Sequence, residues 1–300
     1  MSVTARRENR SKKNTEQNLF MKKILSLLAA SFAAFTTVQN ASAHLSYSGR
    51  DFGTLVIDAA PALNSSQALS SSFGFADATD SSWGDSHRGR FFRFTLASTA
   101  SVVISVQRNG NGTQTLYGGT SGSLLPAVSL YSGLGTIAPE ALGHDSSALS
   151  IASRPGDKEG NLRTLADWSL GNEDTYNIAG DPTSGVLYAA RLAYFTYIGN
   201  VADGTSANYG DASGINGDGT ADGYVSGTFS NLSAGDYTFF VGGANYNAQN
   251  VEGVSNNGTY SYPTYGVNVS VQAVPEPSTW ALIALGFGFL AWRILHRKTI

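Results

Sequence analysis

The sequence predicts an all-β protein, an antiparallel β-sandwich of jelly-roll type that carries one long Gly/Asp-rich insertion. Three observations support this. The 300 residues hold 34 glycines and 11% aromatics but only 14% charged residues, a composition that suits turns and strands better than helices. Short segments with period-2 hydrophobic alternation recur between glycine-rich turns. No stretch of the body has the 3.6-residue periodicity of an amphipathic helix, and several strands without helices point to a sandwich.

Both ends have the composition of targeting segments and are set apart first. Residues 1–20 are polar and basic, an extended n-region or the product of an early start codon. Met21-Lys22-Lys23 is followed by an apolar run from Ile24 to about Val38 and then by Ala41-Ser42-Ala43. This is the charged, apolar and small-residue order of a secretory signal peptide, with cleavage by signal peptidase expected between Ala43 and His44. An uncleaved anchor is the alternative, although the apolar run is short for a membrane span. Arg6-Arg7 lies too far from that run for a twin-arginine signal.

Between His44 and Val274 the chain has nine Lys/Arg against nineteen Asp/Glu, a net charge of −10. An acidic body does not suit a nucleic-acid partner, because phosphate neutralisation needs a basic surface. The chain has no cysteine, which excludes disulfides, thiolate catalysis and thiolate metal sites. The stability of an exported domain of this kind comes from its packed core or from bound ions.

The strands are expected at Phe92-Arg93-Phe94-Thr95-Leu96, Val102 to Val106, Tyr237 to Val241 and Tyr265 to Val271, with Val186 to Ile198 supplying a longer one. In the last of the short segments Tyr265, Val267, Val269 and Val271 share one face, as in a half-buried strand. Ser233-Ala234-Gly235-Asp236 supplies a turn before Tyr237. The insertion runs from about Thr136 to Asp222, and a domain split near 135 to 180 is the alternative to a single elaborated domain. The order Phe91 to Leu96, Val102 to Val106, Val128 to Gly133 and Leu232 to Phe239 resembles the pre-peptidase C-terminal type of bacterial β-sandwich. That resemblance covers about half the body and implies an accessory, non-catalytic module.

Four constellations are candidates for chemistry. In Asn216-Gly217-Asp218-Gly219-Thr220-Ala221-Asp222-Gly223, the residues Asn216, Asp218 and Asp222 have the oxygen-ligand character that calcium needs, with Asp203 and Asp211 upstream. Aligned on a calcium loop, the first and twelfth positions fall on Gly214 and Val225, so two carboxylates are missing, and a solvated Asp/Gly turn is the alternative. His44, once an amino terminus, could chelate copper only with a second histidine, and spacing places neither His87 nor His144 beside it. Asp85-Ser86-His87 and His144-Asp145-Ser146 bring hydrolase residue types together, but sequence neighbours on a strand point to opposite faces. No nucleophile elbow or zinc-protease helix is present, and no spacing among Glu140, Glu159, Glu173 and Glu252 specifies a glycosidase pair. Finally, Tyr246, Tyr260, Tyr262 and Tyr265 lie among Asn and Gly, where flat rings and amides suit sugar stacking; half-buried sheet positions are the alternative.

The other end reads Val274-Pro275-Glu276-Pro277-Ser278-Thr279, then an apolar run from Trp280 to Trp292, then Arg293, Arg297 and Lys298. The two prolines hold the stem extended. The apolar run predicts a short transmembrane helix whose basic finish stays in the cytoplasm. Pro275, Glu276 and Pro277, with that helix and basic end, closely resemble the PEP-CTERM sorting signal of bacterial exported proteins. The resemblance implies that residues 275–300 form a sorting signal, that an exosortase recognises and removes it after the precursor is held transiently at the inner membrane, and that the 44–274 domain reaches the surface, the matrix or the medium. Substrates of this kind are often associated with extracellular polysaccharide and biofilm. The expectation is a non-enzymatic exported protein in a structural or adhesive role, with polysaccharide as a partner; a secreted polysaccharide hydrolase is the alternative.

Overall fold

The structure, a computed structural model, describes residues 45–76, 83–109, 124–135, 160–171, 192–210, 212–249, 254–256, 259–276, 285, 287–289 and 293. All of them belong to one compact unit, Ala43–Ile300. The predicted cleavage pair Ala43 and His44, and with it the whole signal peptide, lies outside the described residues.

Fourteen strands are described: β1 (Asp51–Leu55), β2 (Ala62–Leu69), β3 (Trp83–Asp85), β4 (Arg90–Leu96), β5 (Ala100–Asn109), β6 (Pro126–Ser132), β7 (Asn161–Arg163), β8 (Trp168–Gly171), β9 (Leu192–Ala202), β10 (Tyr224–Leu232), β11 (Gly235–Gly243), β12 (Val254–Asn256), β13 (Thr259–Ser261) and β14 (Tyr265–Val274). A six-stranded sheet has the order β1-β4-β11-β6-β9-β8, and a four-stranded sheet the order β10-β5-β14-β2. Two small ribbons, β12-β13 and β3-β7, complete the pairing.

The predicted all-β class is observed. Tyr265, Val267, Val269 and Val271 all point inward, as their alternation requires, and meet Phe92, Phe94, Val128, Leu130 and Phe239 from the facing sheet in one apolar core. Phe92 and Phe239 are paired across the β4–β11 ladder. Cross-strand aromatic pairs of this kind add to the area term.

Three features depart from the sequence reading. First, β1 pairs with β4 in parallel, so the large sheet is mixed. The chain crosses to the other sheet between these two strands, so no hairpin forces them to run antiparallel, and Asp51 and Arg93 close the pair with a salt bridge. Second, the 136–222 stretch is not merely an insertion: β9 lies inside it and forms an internal strand of the six-stranded sheet, paired to β6 on one side and β8 on the other. Of the predicted 186–198 strand, residues 186–191 lie outside the described residues. Third, the central strands β6 and β11 of the six-stranded sheet are buried on both faces. On its outer side Phe91, Tyr131, Phe195 and Phe240 pack with Leu45, Phe75, Leu162, Trp168 and Leu170 in a second core, where Trp168 stacks on Phe195 at 4.4 Å and 13°.

The segment that follows the predicted cleavage point belongs to that outer cover. Leu45 is buried, and the Tyr47 hydroxyl lies 2.6 Å from Thr238 Oγ1 and accepts the Gly135 N–H. Burial pushes the Tyr47 hydroxyl up to about 12. A chain beginning at His44 is therefore tied down within two residues of its start.

Candidate functional site

The four-stranded sheet has one face in the core and one outside, and the outer face is built from the polar partners of the alternating strands. Tyr224, Gln107 and Asn268 form one row across β10, β5 and β14, because Tyr224 pairs with Gln107 and Gln107 with Asn268. Ser226, Ser105, Ser270 and Leu63 form the next row, reaching β2. Residues directly opposite one another share a face. The hydroxyls of Ser105 and Ser226 are 2.8 Å apart, Asn109 Nδ2 donates to Asn268 Oδ1 at 2.9 Å, and Gln107 Nε2 donates to the Gly223 carbonyl at 3.1 Å. Between the rows runs a shallow trough of about 320 Å³, lined by Leu63, Asn64, Ser105, Gln107, Tyr224, Asn268, Val269 and Ser270. None of these residues is charged. Tyr224 is 41% exposed and Leu63 76%.

This face was not singled out from the sequence. Its signal is present there all the same: Asn268 and Ser270 sit between Val267, Val269 and Val271, and Ser105 between Ile104 and Val106.

The structure places the calcium-type residues on a tight knot at the end of β9. Asp203 is fully buried and accepts the N–H groups of Asp222 at 3.0 Å and Gly223 at 2.6 Å. Asp218 Oδ1 accepts from Gly204 and Thr220, and Asp222 Oδ1 from Tyr224. The Asn216 side chain donates to the Asn200 carbonyl at 3.2 Å. Burial, with the charges of Asp218 and Asp222 beside it, raises the Asp203 carboxyl to about 6 in spite of its two amide donors. Among the described residues no group of three or more His, Asp or Glu side chains is arranged to hold a metal ion; Asp211 lies outside the described residues.

The tyrosines singled out from the sequence have separate surroundings. The ring of Tyr246 lies against Gly210, where an added Cβ would come within 2.3 Å of it. Tyr262 lies under the Arg88 guanidinium, 3.5 Å from the ring centroid, and meets Phe73 edge-on. Tyr260 is in β13, with its side chain outside the described residues, and Tyr265 is buried in the sandwich core.

Of the hydrolase-like clusters, Asp85 and His87 are in contact at 2.8 Å. The same Asp85 Oδ1 also accepts the His87 main-chain N–H, so the carboxylate organises the turn that leads into β4. A second, smaller cavity of about 150 Å³ adjoins it, lined by Phe73, Trp83, Asp85, Asn161 and Gln249 among others. His144, Asp145, Glu140, Glu159, Glu173 and Glu252 lie outside the described residues.

At the chain end, β14 runs to Val274, and Pro275 and Glu276 continue from it. The pairing of β14 with β5 ends at Val274 opposite Ser101. Glu276 turns back onto the sandwich: its Oε1 accepts the Asn231 N–H at 2.8 Å and its Oε2 the Ser101 hydroxyl at 3.2 Å. Beyond it Leu285, Phe287, Gly288, Phe289 and Arg293 are helical and exposed. Pro277 lies outside the described residues, and among the described residues no helix is long and apolar enough to cross a membrane. Residues 273–298 match the family model of the PEP-CTERM protein-sorting motif.

The chain carries a PEP-CTERM protein-sorting motif.

A PEP-CTERM tail marks an exported protein whose membrane-held precursor is recognised by an exosortase. No curated protein matches the chain. Among solved structures, the chain is similar to CorA of Methylomicrobium album BG8, a surface-associated copper-binding protein important in copper acquisition. That match has 16% identity, covers 74% of this chain and 97% of CorA, and has a TM-score of 0.42. It is also similar to the secreted protein MopE of Methylococcus capsulatus, in which an oxidized tryptophan facilitates copper-binding, at 15% identity, 75% and 87% coverage and a TM-score of 0.39. At these scores neither likeness carries an argument about this chain.

Proposed function

We propose that this PEP-CTERM protein is a non-enzymatic exported protein of the cell surface or extracellular matrix, and that the outer face of its four-stranded sheet binds a neutral polysaccharide. The observation that carries the reading is the uncharged trough. Amides and hydroxyls of Asn64, Gln107, Asn268, Ser105 and Ser270 supply donors and acceptors for sugar hydroxyls, and the half-exposed ring of Tyr224 supplies a flat apolar wall for a sugar face. A net-acidic body that presents a charge-free face disfavours polyanionic chains and leaves neutral ones.

The sorting signal supports the setting, since it delivers the body to where such polymers lie. The test is a glycan array probed with the body, residues 44–274, and with its Tyr224→Ala variant. Binding to neutral glycans that Tyr224→Ala weakens by about three- to tenfold is expected. Equal binding by both proteins, or cleavage of the bound glycan, overturns the reading; cleavage would favour a hydrolase.

A further inference from the structure

The central residue of the sorting motif is hydrogen-bonded to the domain that the motif is meant to shed. Between the pairs Phe229 with Val102 and Leu232 with Ala100, two residues of β10 stand opposite one residue of β5, Ser101. This is a β-bulge, and a bulge leaves an N–H outside the ladder. Asn231 lies in it with φ of +57°, a conformation that Asn tolerates better than most residues. Its freed N–H is the one that Glu276 Oε1 accepts. Because β14 and β10 flank β5 on opposite sides, the Glu276 side chain reaches across the end of β5 and takes the hydroxyl of the intervening Ser101 on the way.

We propose that the folded sandwich clasps its own sorting motif, with the bulge at Asn231 and the hydroxyl of Ser101 as the docking site for the Glu276 carboxylate. A carboxylate engaged by two donors of the body is not offered to a second protein at the same time. Recognition therefore falls with the fraction of molecules in which Glu276 is free. The step is conformational, the release of Glu276 from the end of β5, and it precedes any bond cleavage. Processing then depends on the state of the end of the sandwich as well as on the tail. The inference rests on the reading of the tail as a processing signal.

The test uses the full-length chain with Ser101→Ala, which removes one of the two donors without adding volume. In cells that make an exosortase, pulse-chase labelling should show tail removal from Ser101→Ala about three- to tenfold faster than from wild type, the effect of losing one hydrogen bond of ordinary strength, as the long 3.2 Å contact implies. In the purified full-length protein, hydrogen exchange at the Asn231 amide should be protected in wild type and released in Glu276→Ala, with the amides of β11 unchanged. Equal rates of tail removal, or an Asn231 amide indifferent to Glu276→Ala, overturn the clasp and leave the processing signal standing. Retention of the tail in both proteins overturns the processing reading together with the inference built on it.

Discussion

Phe239 and Phe240 are adjacent in β11 and belong to different cores: the ring of Phe239 stacks on Phe92 at 5.0 Å inside the sandwich, and that of Phe240 meets Phe91 at 5.1 Å under the outer cover. Two consecutive buried aromatics in one strand mean that the centre of the six-stranded sheet is covered on both sides. Each truncation to Ala should cost about 3–5 kcal/mol by urea denaturation, since each removes a large ring from a filled site. A loss below about 1 kcal/mol for Phe240→Ala would mean that the outer layer is not a packed core.

Gly89 tests the same packing from the other direction. A Cβ there would lie 2.1 Å from the Phe240 ring and 2.6 Å from the Val241 carbonyl oxygen. Gly89→Ala should therefore destabilise by about 1–3 kcal/mol, as overpacking does, and a silent substitution in the same denaturation assay would contradict the tight contact.

The buried carboxyl of Asp203 gives the body a pH signature. Its pKa in the fold, about 6, is above the ~3.9 of an unfolded Asp, so the folded state holds a proton that the unfolded state releases. The stabilisation is complete below about pH 4 and is lost as pH rises through about 6. The advantage of wild type over Asp203→Asn, measured by urea denaturation, should grow as pH is lowered from 7 to 4.5. An advantage independent of pH would show that this carboxyl has an ordinary affinity for protons.

The knot around Asp203, Asp218 and Asp222 is closed by main-chain N–H donors. EDTA should then leave the melting temperature of the body within about 1 °C of its untreated value. A fall that added calcium reverses would assign the ion to Asn216, Asp218 and Asp222.

Binding on an uncharged face should also be insensitive to salt, because no ion pair is there to be screened. Affinity for a neutral glycan should change less than about twofold between 50 mM and 500 mM salt. A steep fall would move the binding surface away from the Tyr224 trough to a charged part of the body.

The inward halves of the strands were legible because alternation alone fixes a face: Tyr265, Val267, Val269 and Val271 are buried together as their spacing required. What covers the second face of a sheet was not legible. Phe91 and Phe240 look like ordinary apolar neighbours until Leu45, Leu162 and Trp168 arrive from distant segments to bury them. A strand was expected over Val186 to Ile198, but the internal place of β9 in the sheet was not legible, since its partners β6 and β8 are brought together only by the tertiary fold. The contacts of Glu276 with Asn231 and Ser101 depend on a bulge, and a local slip in register leaves no mark in the hydrophobic pattern. The sorting motif was legible because its residues are contiguous in the chain.

Export of the body and removal of its C-terminal tail would each leave a new chain end, and intact-mass spectrometry of the native protein fixes both ends at once. The mature chain should begin at His44 and lack the apolar run from Trp280 to Trp292. A chain recovered whole from the cytosol, with Met21 and Ile300 still attached, would contradict the account.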